Sequence, residues 1–306
     1  MPKVSVCLNR SNSYTGETLG PLLHEQLDIL GVPGDLSFKK VLLKPNLISA
    51  GAPALACSNP LFVKAIAVCL HSRGAKVLIG DSPAFGTAAH VLKRQGFKTA
   101  LSGLSVEYIS FKTRVVKRLA CGIEVGVAAE ALDCDYFVNI PRIKAHDQMG
   151  VTMAVKNVFG IVLGARKAWL HMKYGESRQF FAEMILDLQQ LLPSTIVLAD
   201  GIEVMNKRGP MKGSSLLLGC IAASRSGVAL DRAMLEVLEI DKMTIPLVMA
   251  ALKQQVKGAR MKDIDFPQLL PSDFAGSGFR TPAKLIPIPF QPFRYLRSSL
   301  KRILSF

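Results

Sequence analysis

Apolar residues recur along the chain in two alternating rhythms. Short apolar runs bounded by turn-forming residues predict strands at 3–8, 40–43 and 76–80, while 17–30 and 61–72 carry apolar positions at helical spacing. Asn59-Pro60 supplies an N-cap and first-turn proline for the second helix, and Gly74 ends it. A further helix is expected around 87–95, so the region to residue 100 reads as a β-α-β-α-β-α series. That series predicts an open, mostly parallel sheet with helices on both faces. After Ser102 the pattern turns β-rich, at 106–110 and 113–118, before a small helix near 128–132 and a strand at 136–140. A helix at 177–191, strands at 195–199 and 216–222, and a helix at 228–238 resume the rhythm. The expectation is an α/β domain over residues 1–240 with a β-rich insertion. A helical, proline-rich extension at 241–306 would end in a basic amphipathic helix.

Three expected strands end in polar, turn-forming groups: Lys44-Pro45-Asn46, Asp81-Ser82-Pro83 and Asn139-Ile140-Pro141-Arg142-Ile143-Lys144-Ala145-His146. In open α/β sheets, ligands collect beyond the carboxyl ends of strands, where N–H groups at helix starts face anions. One such turn alone reads as helix capping with solvated lysines. Three together point to a shared cleft, with Lys44, Asn46, Asp81, Ser82, Arg142, Lys144 and Asn157 as candidate binding residues for a small anion. Residues 141–175, rich in Gly, Lys and polar side chains between clear elements, are expected to carry function. There His146 is followed ten positions later by Lys156 inside an apolar run. A buried lysine has a lowered pKa and can act as a nucleophile or covalent anchor, which makes His146 and Lys156 the candidate catalytic pair. The competing reading has Lys156 snorkelling from an amphipathic helix that His146 caps.

Charge narrows the choice of partner. The 306 residues carry 38 Lys+Arg against 23 Asp+Glu, a formal +15, which favours polyanions, anionic lipid surfaces or acidic small molecules. Nucleic acid is set aside, because no reader motif occurs and five Tyr with one Trp make a poor stacking platform. No window approaches the roughly 18 uncharged apolar residues of a spanning helix. The start lacks a secretory pattern. A cytoplasmic protein is therefore expected. Within 293–306, Phe293, Leu296, Leu300, Ile303 and Leu304 fall near one helical face, and Arg294, Arg297, Lys301 and Arg302 supply charge. Such a segment would lie peripherally on an anionic membrane, or dock its apolar stripe on its own domain or on the partner in a homo-oligomer. Six cysteines without a C-x-x-C pair argue against a zinc ribbon or an iron–sulfur cluster.

The Val41-Leu42-Leu43-Lys44-Pro45-Asn46 and Ser58-Asn59-Pro60 segments, the Asn139-to-His146 run, Lys156-Asn157-Val158-Phe159-Gly160, Ala199-Asp200-Gly201-Ile202 and Ala229-Leu230-Asp231 resemble domain-of-unknown-function family 362 across residues 3–240. Many members of that family carry an appended cysteine-rich ferredoxin module, and the C-terminal region here has no such cysteines. A more remote resemblance is to the nickel-dependent lactate racemase family. Its members show a histidine, ten positions on a lysine that carries a nickel-pincer cofactor, and then a nickel-binding histidine. His146, Lys156 and His171 follow that order. The resemblance implies His146 as acid/base, Lys156 as cofactor anchor, His171 as metal ligand and His90, by chain order, as a second acid/base.

The sequence therefore leads to an enzyme of unassigned reaction, acting on a small anionic substrate with a His/Lys site in an electropositive cleft. The alternative is a non-catalytic protein that binds an anionic cofactor or metabolite in the same cleft.

Overall fold

The computed structural model describes residues 2–163, 166–175 and 177–286, without the side chains of residues 166, 168, 171 and 172. The expected helix at 293–306 and the side chain of His171 lie outside the described residues. Strand β1 (Val4–Arg10) is followed by α1 (Gly16–Ile29), whose N-cap Thr15 accepts from the Thr18 N–H. Next come β2 (Lys40–Pro45), α2 (Pro60–His71), β3 (Lys76–Ile79), α3 (Ala88–Arg94) and α4 (Phe97–Ala100). Asn59 caps α2 as its sequence requires, accepting from the Leu61 N–H at 2.8 Å. The chain continues through β4 (Val106–Tyr108), β5 (Arg114–Arg118), β6 (Glu124–Ala128), α5 (Ala129–Leu132), β7 (Tyr136–Ile140), β8 (Arg142–His146) and β9 (Gly150–Thr152). It ends through α6 (Ala154–Asn157), α7 (Arg166–Tyr174), α8 (Arg178–Gln189), β10 (Ser194–Asn206), β11 (Ser214–Ser224), α9 (Gly227–Val237), α10 (Pro246–Lys253) and β12 (Ile264–Asp265).

The main sheet has the order β12-β1-β11-β10-β7-β2-β3-β4, and β8 branches from β10 to pair with β9. From β10 to β4 every neighbour is parallel. Strand β11 runs antiparallel to both β10 and β1. The reason is local: β10 and β11 are joined by a short turn, and only antiparallel strands can be joined that way. Strand β1 consequently sits beyond β11 instead of beside β2. The β-rich insertion is the two-stranded β5–β6 ribbon.

Residues 141–175 also depart from expectation, since they form β8, β9, α6 and α7. Apart from α7, these elements have three to five residues and leave little periodicity to read in the sequence. Gly150 closes the β8–β9 turn with φ +74°, a conformation L side chains rarely adopt.

Alternation along the strands builds three layers. Val41 and Leu43 of β2, Val138 and Ile140 of β7, and Ile196 and Leu198 of β10 face a core shared with Leu23 of α1, Phe62 of α2 and Phe97 of α4. On the other side, Leu42 and Phe137 meet Phe181 and Ile185 of α8. Val197 and Ala199 meet Leu230 and Met234 of α9. Helix α10 packs on α8, and β12 extends the sheet at β1. Among the described residues no helix is long and apolar enough to cross a membrane.

Candidate functional site

The β2–β7 register places Lys44 directly opposite Asn139 at the carboxyl ends of two central strands. By the two-residue period, Lys44 shares a face with Leu42 and Asn139 shares one with Phe137, so both look toward α6. Asn157 of α6 bridges them. Its Oδ1 accepts from Lys44 Nζ at 3.1 Å, and its Nδ2 donates to Asn139 Oδ1 at 2.7 Å. Asn46 Nδ2 donates to the same Asn157 oxygen at 2.7 Å, while Asn46 Oδ1 accepts from Lys144 Nζ. Asn139 Nδ2 donates to the Ala154 carbonyl at 2.9 Å. The amides form one directed relay, and the oxygens of Asn46 and Asn157 face lysines. Buried amides satisfied in this way fix their neighbours' positions.

Asp81, just past β3, holds Lys44 at 2.9 Å and accepts from the N–H groups of Leu47 and Ser82 at 3.0 and 2.8 Å. Gly160 lies against this ion pair. A Cβ there would collide with Lys44 Cε and Nζ and with Asp81 Oδ1, so the pair requires a glycine. Lys144, two residues after Arg142 on β8, donates to the Ala56 carbonyl at 2.6 Å as well as to Asn46. Lys156 lies over the rings of Phe159 and Phe181, 4.5 and 5.6 Å from their centroids.

Three ammonium groups, Lys44, Lys144 and Lys156, thus share a buried environment with one carboxylate, Asp81. The electrostatics follow from that imbalance. Burial, with opposing help from a nearby thiol and further depression by the cations Lys156, Arg142 and Lys44, holds Lys144 down to about 7. Burial and then Lys44 bring Lys156 down to about 8. His146 is held down to about 3 by burial, then by Lys156 and Lys144, so its ring is neutral at physiological pH. Its Nδ1 accepts from the Gln148 N–H at 3.2 Å, which leaves the ring proton on Nε2. Although His146 retains some exposed surface, it is surrounded by enough protein to lose most of its hydration. Asn46, His146 and Lys156 are half-buried. Asp231 of α9 fixes the helix that carries Lys156, accepting from the N–H groups of Ala154 and Val155 at 2.8 and 3.1 Å. Burial pushes its carboxyl up to about 7 against those two bonds.

The structure therefore brings together Lys44, Asn46, Asp81, Ser82, Lys144, His146, Lys156 and Asn157. Arg142 lies beside this cluster but is engaged elsewhere, at 2.5 Å from Asp200. His90 is exposed on α3. The expected snorkelling of Lys156 does not occur, because its ammonium turns inward over two rings. Sequence reasoning named Asn139 and Gly160 within motifs without giving them a role, and it passed over Lys167. Lys167 Nζ of α7 donates to the Ser82 and Gly160 carbonyls. A lone Asn in the apolar strand Tyr136–Ile140 was the available signal for Asn139.

A nickel centre requires nitrogen or sulfur donors with free lone pairs. The described groups around Lys156 are ammonium ions, engaged amides, one engaged carboxylate, aromatic faces and the neutral ring of His146, which is a nitrogen donor. No group of three His, Cys, Asp or Glu able to hold a metal occurs among the described residues, which do not include the side chain of His171.

Fold and cluster together define an α/β protein of the family described as Domain of unknown function (DUF362). The chain belongs to that family, which matches residues 41–236 and so takes in the whole cluster. It is similar to the thylakoid-associated protein sll1697 of Synechocystis sp. (strain ATCC 27184 / PCC 6803 / Kazusa), at 35% identity over 305 residues, 97% of this chain and 94% of that protein. The lactate racemase apoprotein from Thermoanaerobacterium thermosaccharolyticum shares the fold, with a TM-score of 0.50 and 14% identity over 78% of this chain. This chain spans 58% of the racemase's length.

Proposed function

We propose that the chain is an enzyme acting on a small substrate that carries a carboxylate or phosphate. The supporting observation is the unbalanced positive charge of Lys44, Lys144 and Lys156 around Asp81. Buried charges are ordinarily paired, and a substrate anion would supply the missing partner. In this reading the anion docks against Lys144 and Lys156, and neutral His146 offers its Nε2–H to a substrate oxygen. Lys156, held near 8, gives or takes the proton. The bound anion offsets the cations that depress His146 and so raises its basicity during turnover. The fold neighbour is named for lactate, a small carboxylate, which agrees with this substrate class. We further place the enzyme in the cytoplasm at the surface of an anionic membrane, on the strength of the basic amphipathic segment 293–306 and the thylakoid association of its relative.

Two measurements test the assignment. Thermal unfolding with inorganic phosphate and with small carboxylates, lactate included, should show stabilisation that Lys144→Met removes. NMR in deuterated water should then show solvent deuterium entering a stabilising carboxylate, and Lys156→Gln should abolish that exchange. Lack of stabilisation by any anion would overturn the site. Stabilisation without turnover of any ligand would make the chain a binding protein.

A further inference from the structure

A cavity of about 460 Å3 adjoins the residue after His146, and its lining includes Asp147, Lys207, Arg208, Arg280, Lys284 and Ile286. Its walls are tied together by backbone. The Lys207 N–H donates to the Arg280 carbonyl at 2.9 Å, the Ile286 N–H to the Asp147 carbonyl at 2.7 Å, and the Asp147 N–H to the Gly209 carbonyl at 2.9 Å. Arg280 N–H is taken by Asn206 Oδ1 at 2.7 Å. Lys207 is held at φ +70°, a left-handed conformation that a lysine adopts only where its surroundings impose it.

The charge in this cavity is one-sided. Asp147 is satisfied by Arg208 at 3.0 Å and by the Gly209 N–H at 3.2 Å. Lys207, Arg280 and Lys284, with Lys212 on the same β10–β11 turn, have no carboxylate partner among the described residues. Two apolar side chains accompany them in the open: Met211 on that turn, 47% exposed, and Ile286 on the cavity wall, 42% exposed. A soluble phosphate would use the cations and leave Met211 and Ile286 without a role. A bilayer surface uses both, since basic side chains meet lipid phosphates while apolar tips enter the acyl boundary.

We propose that this cavity receives the phosphate headgroup of an anionic lipid, with Met211 and Ile286 inserting beside it. The inference rests on the membrane placement proposed above and adds the surface and ligand that would orient the enzyme there. It is tested with the full chain by co-sedimentation with phosphatidylglycerol/phosphatidylcholine vesicles and with phosphatidylcholine vesicles alone, at low and high salt. The native chain should bind only the anionic vesicles and release them in salt. Lys207→Glu/Lys284→Glu should weaken binding about tenfold or more with unchanged thermal unfolding. The same substitution should weaken binding further in a chain whose Arg294, Arg297, Lys301 and Arg302 are all glutamine. If only the glutamine substitutions matter, the tail acts alone and the cavity assignment is wrong. Absence of vesicle binding by the native chain would overturn the membrane placement as well. Calorimetric binding of glycerol 3-phosphate that Lys207→Glu/Lys284→Glu abolishes, without vesicle binding, would assign the cavity to a soluble phosphoester and overturn the lipid proposal.

Discussion

Arg142 and Lys144 stand two residues apart on β8, both nearly devoid of solvent exposure, yet their charges are handled differently. Arg142 has carboxylate partners, Asp200 at 2.5 Å and Glu203 at 3.6 Å, and the Tyr14 ring beneath it, although its buried Nε has no hydrogen-bond partner. Asp200 in turn accepts from Tyr14 Oη at 2.8 Å and from the Asn59 N–H at 3.1 Å. Burial works against the guanidinium, but Asp200, Tyr14 and Glu203 together outweigh it and hold its pKa above the ordinary value. Lys144 has a carbonyl and an amide oxygen, no carboxylate among the described residues, and three cations nearby. One neighbourhood is neutralised and fastens β8 to β10. The other keeps an excess of positive charge that a ligand can complete. The contrast separates a structural buried charge from a functional one on the same strand.

The largest expected effect is on the neutralised side. Asp200→Ala leaves Arg142 buried without its main partner, and breaking such a pair costs about 3–5 kcal/mol. Urea unfolding should register the loss as a lower midpoint. A variant within about 1 kcal/mol of the native chain would show that Arg142 finds other compensation. Next is Gly160→Ala, whose Cβ would press on Lys44 and Asp81; overpacking of this kind costs about 1–3 kcal/mol. It should also weaken phosphate binding, because it displaces Lys44 from the Asn157 relay. Unaltered stability and binding would mean that the pair yields more readily than its packing indicates.

How much of this contrast the sequence disclosed depends on the distance over which each feature is encoded. The strand-end turns at Lys44, Asp81 and Asn139 are local, and proline, asparagine and aspartate mark them, so the cleft could be expected where it lies. Order in the sheet is not local. Nothing in the run Val4–Arg10 reveals that it pairs antiparallel with β11, over two hundred residues away, instead of lying beside β2. Arg142 and Lys144 look alike in the sequence because both are cations in one apolar, alternating strand. Only the register Asp200↔Arg142 shows which of them meets a carboxylate. Lys167 escaped notice because a lysine on a short basic helix ordinarily reads as solvated surface.

The third effect is a rise in stability above neutral pH. Lys144 titrates at about 7 in the folded chain and at about 10.4 when unfolded, so between these values the unfolded chain binds a proton the native one lacks. Stability therefore rises with pH above 7, and Lys144 alone contributes about 1–2 kcal/mol by pH 8.5. Buried thiols limit the window, because burial raises those of Cys7, Cys69 and Cys134 to about 12, 11 and 12 while unfolded thiols ionise from about 8.5. Asp231 acts below neutrality. Its folded carboxyl at about 7 keeps a proton that the unfolded chain loses near 3.9, so its own contribution falls as pH climbs between those values. His146, at about 3 folded and about 6.5 unfolded, has the opposite slope and nearly cancels it up to about pH 6.5. Thermal unfolding from pH 5 to 8.5 should show little change up to about pH 6.5 and a rise above neutrality. Lys144→Met should reduce that rise to the smaller part that Lys156 supplies from about 8, and Asp231→Asn should leave His146 unopposed, so that stability climbs from pH 5 to about 6.5. An undiminished alkaline rise in Lys144→Met would have another source.

The smallest expected change in stability comes from Lys144→Met at pH 7. The substitution removes the hydrogen bonds to Asn46 Oδ1 and the Ala56 carbonyl, which costs about 1–3 kcal/mol. It also removes a charge that burial and three neighbouring cations oppose, a gain of similar size. The two nearly cancel, and unfolding free energy should move by less than about 1 kcal/mol in either direction, against the several lost in Asp200→Ala. Phosphate-induced stabilisation, by contrast, should disappear. A residue whose removal leaves the fold intact and abolishes anion binding is held for its ligand. If Lys144→Met unfolds as readily as Asp200→Ala, the two charges serve the same structural end, and the distinction drawn between them on β8 fails.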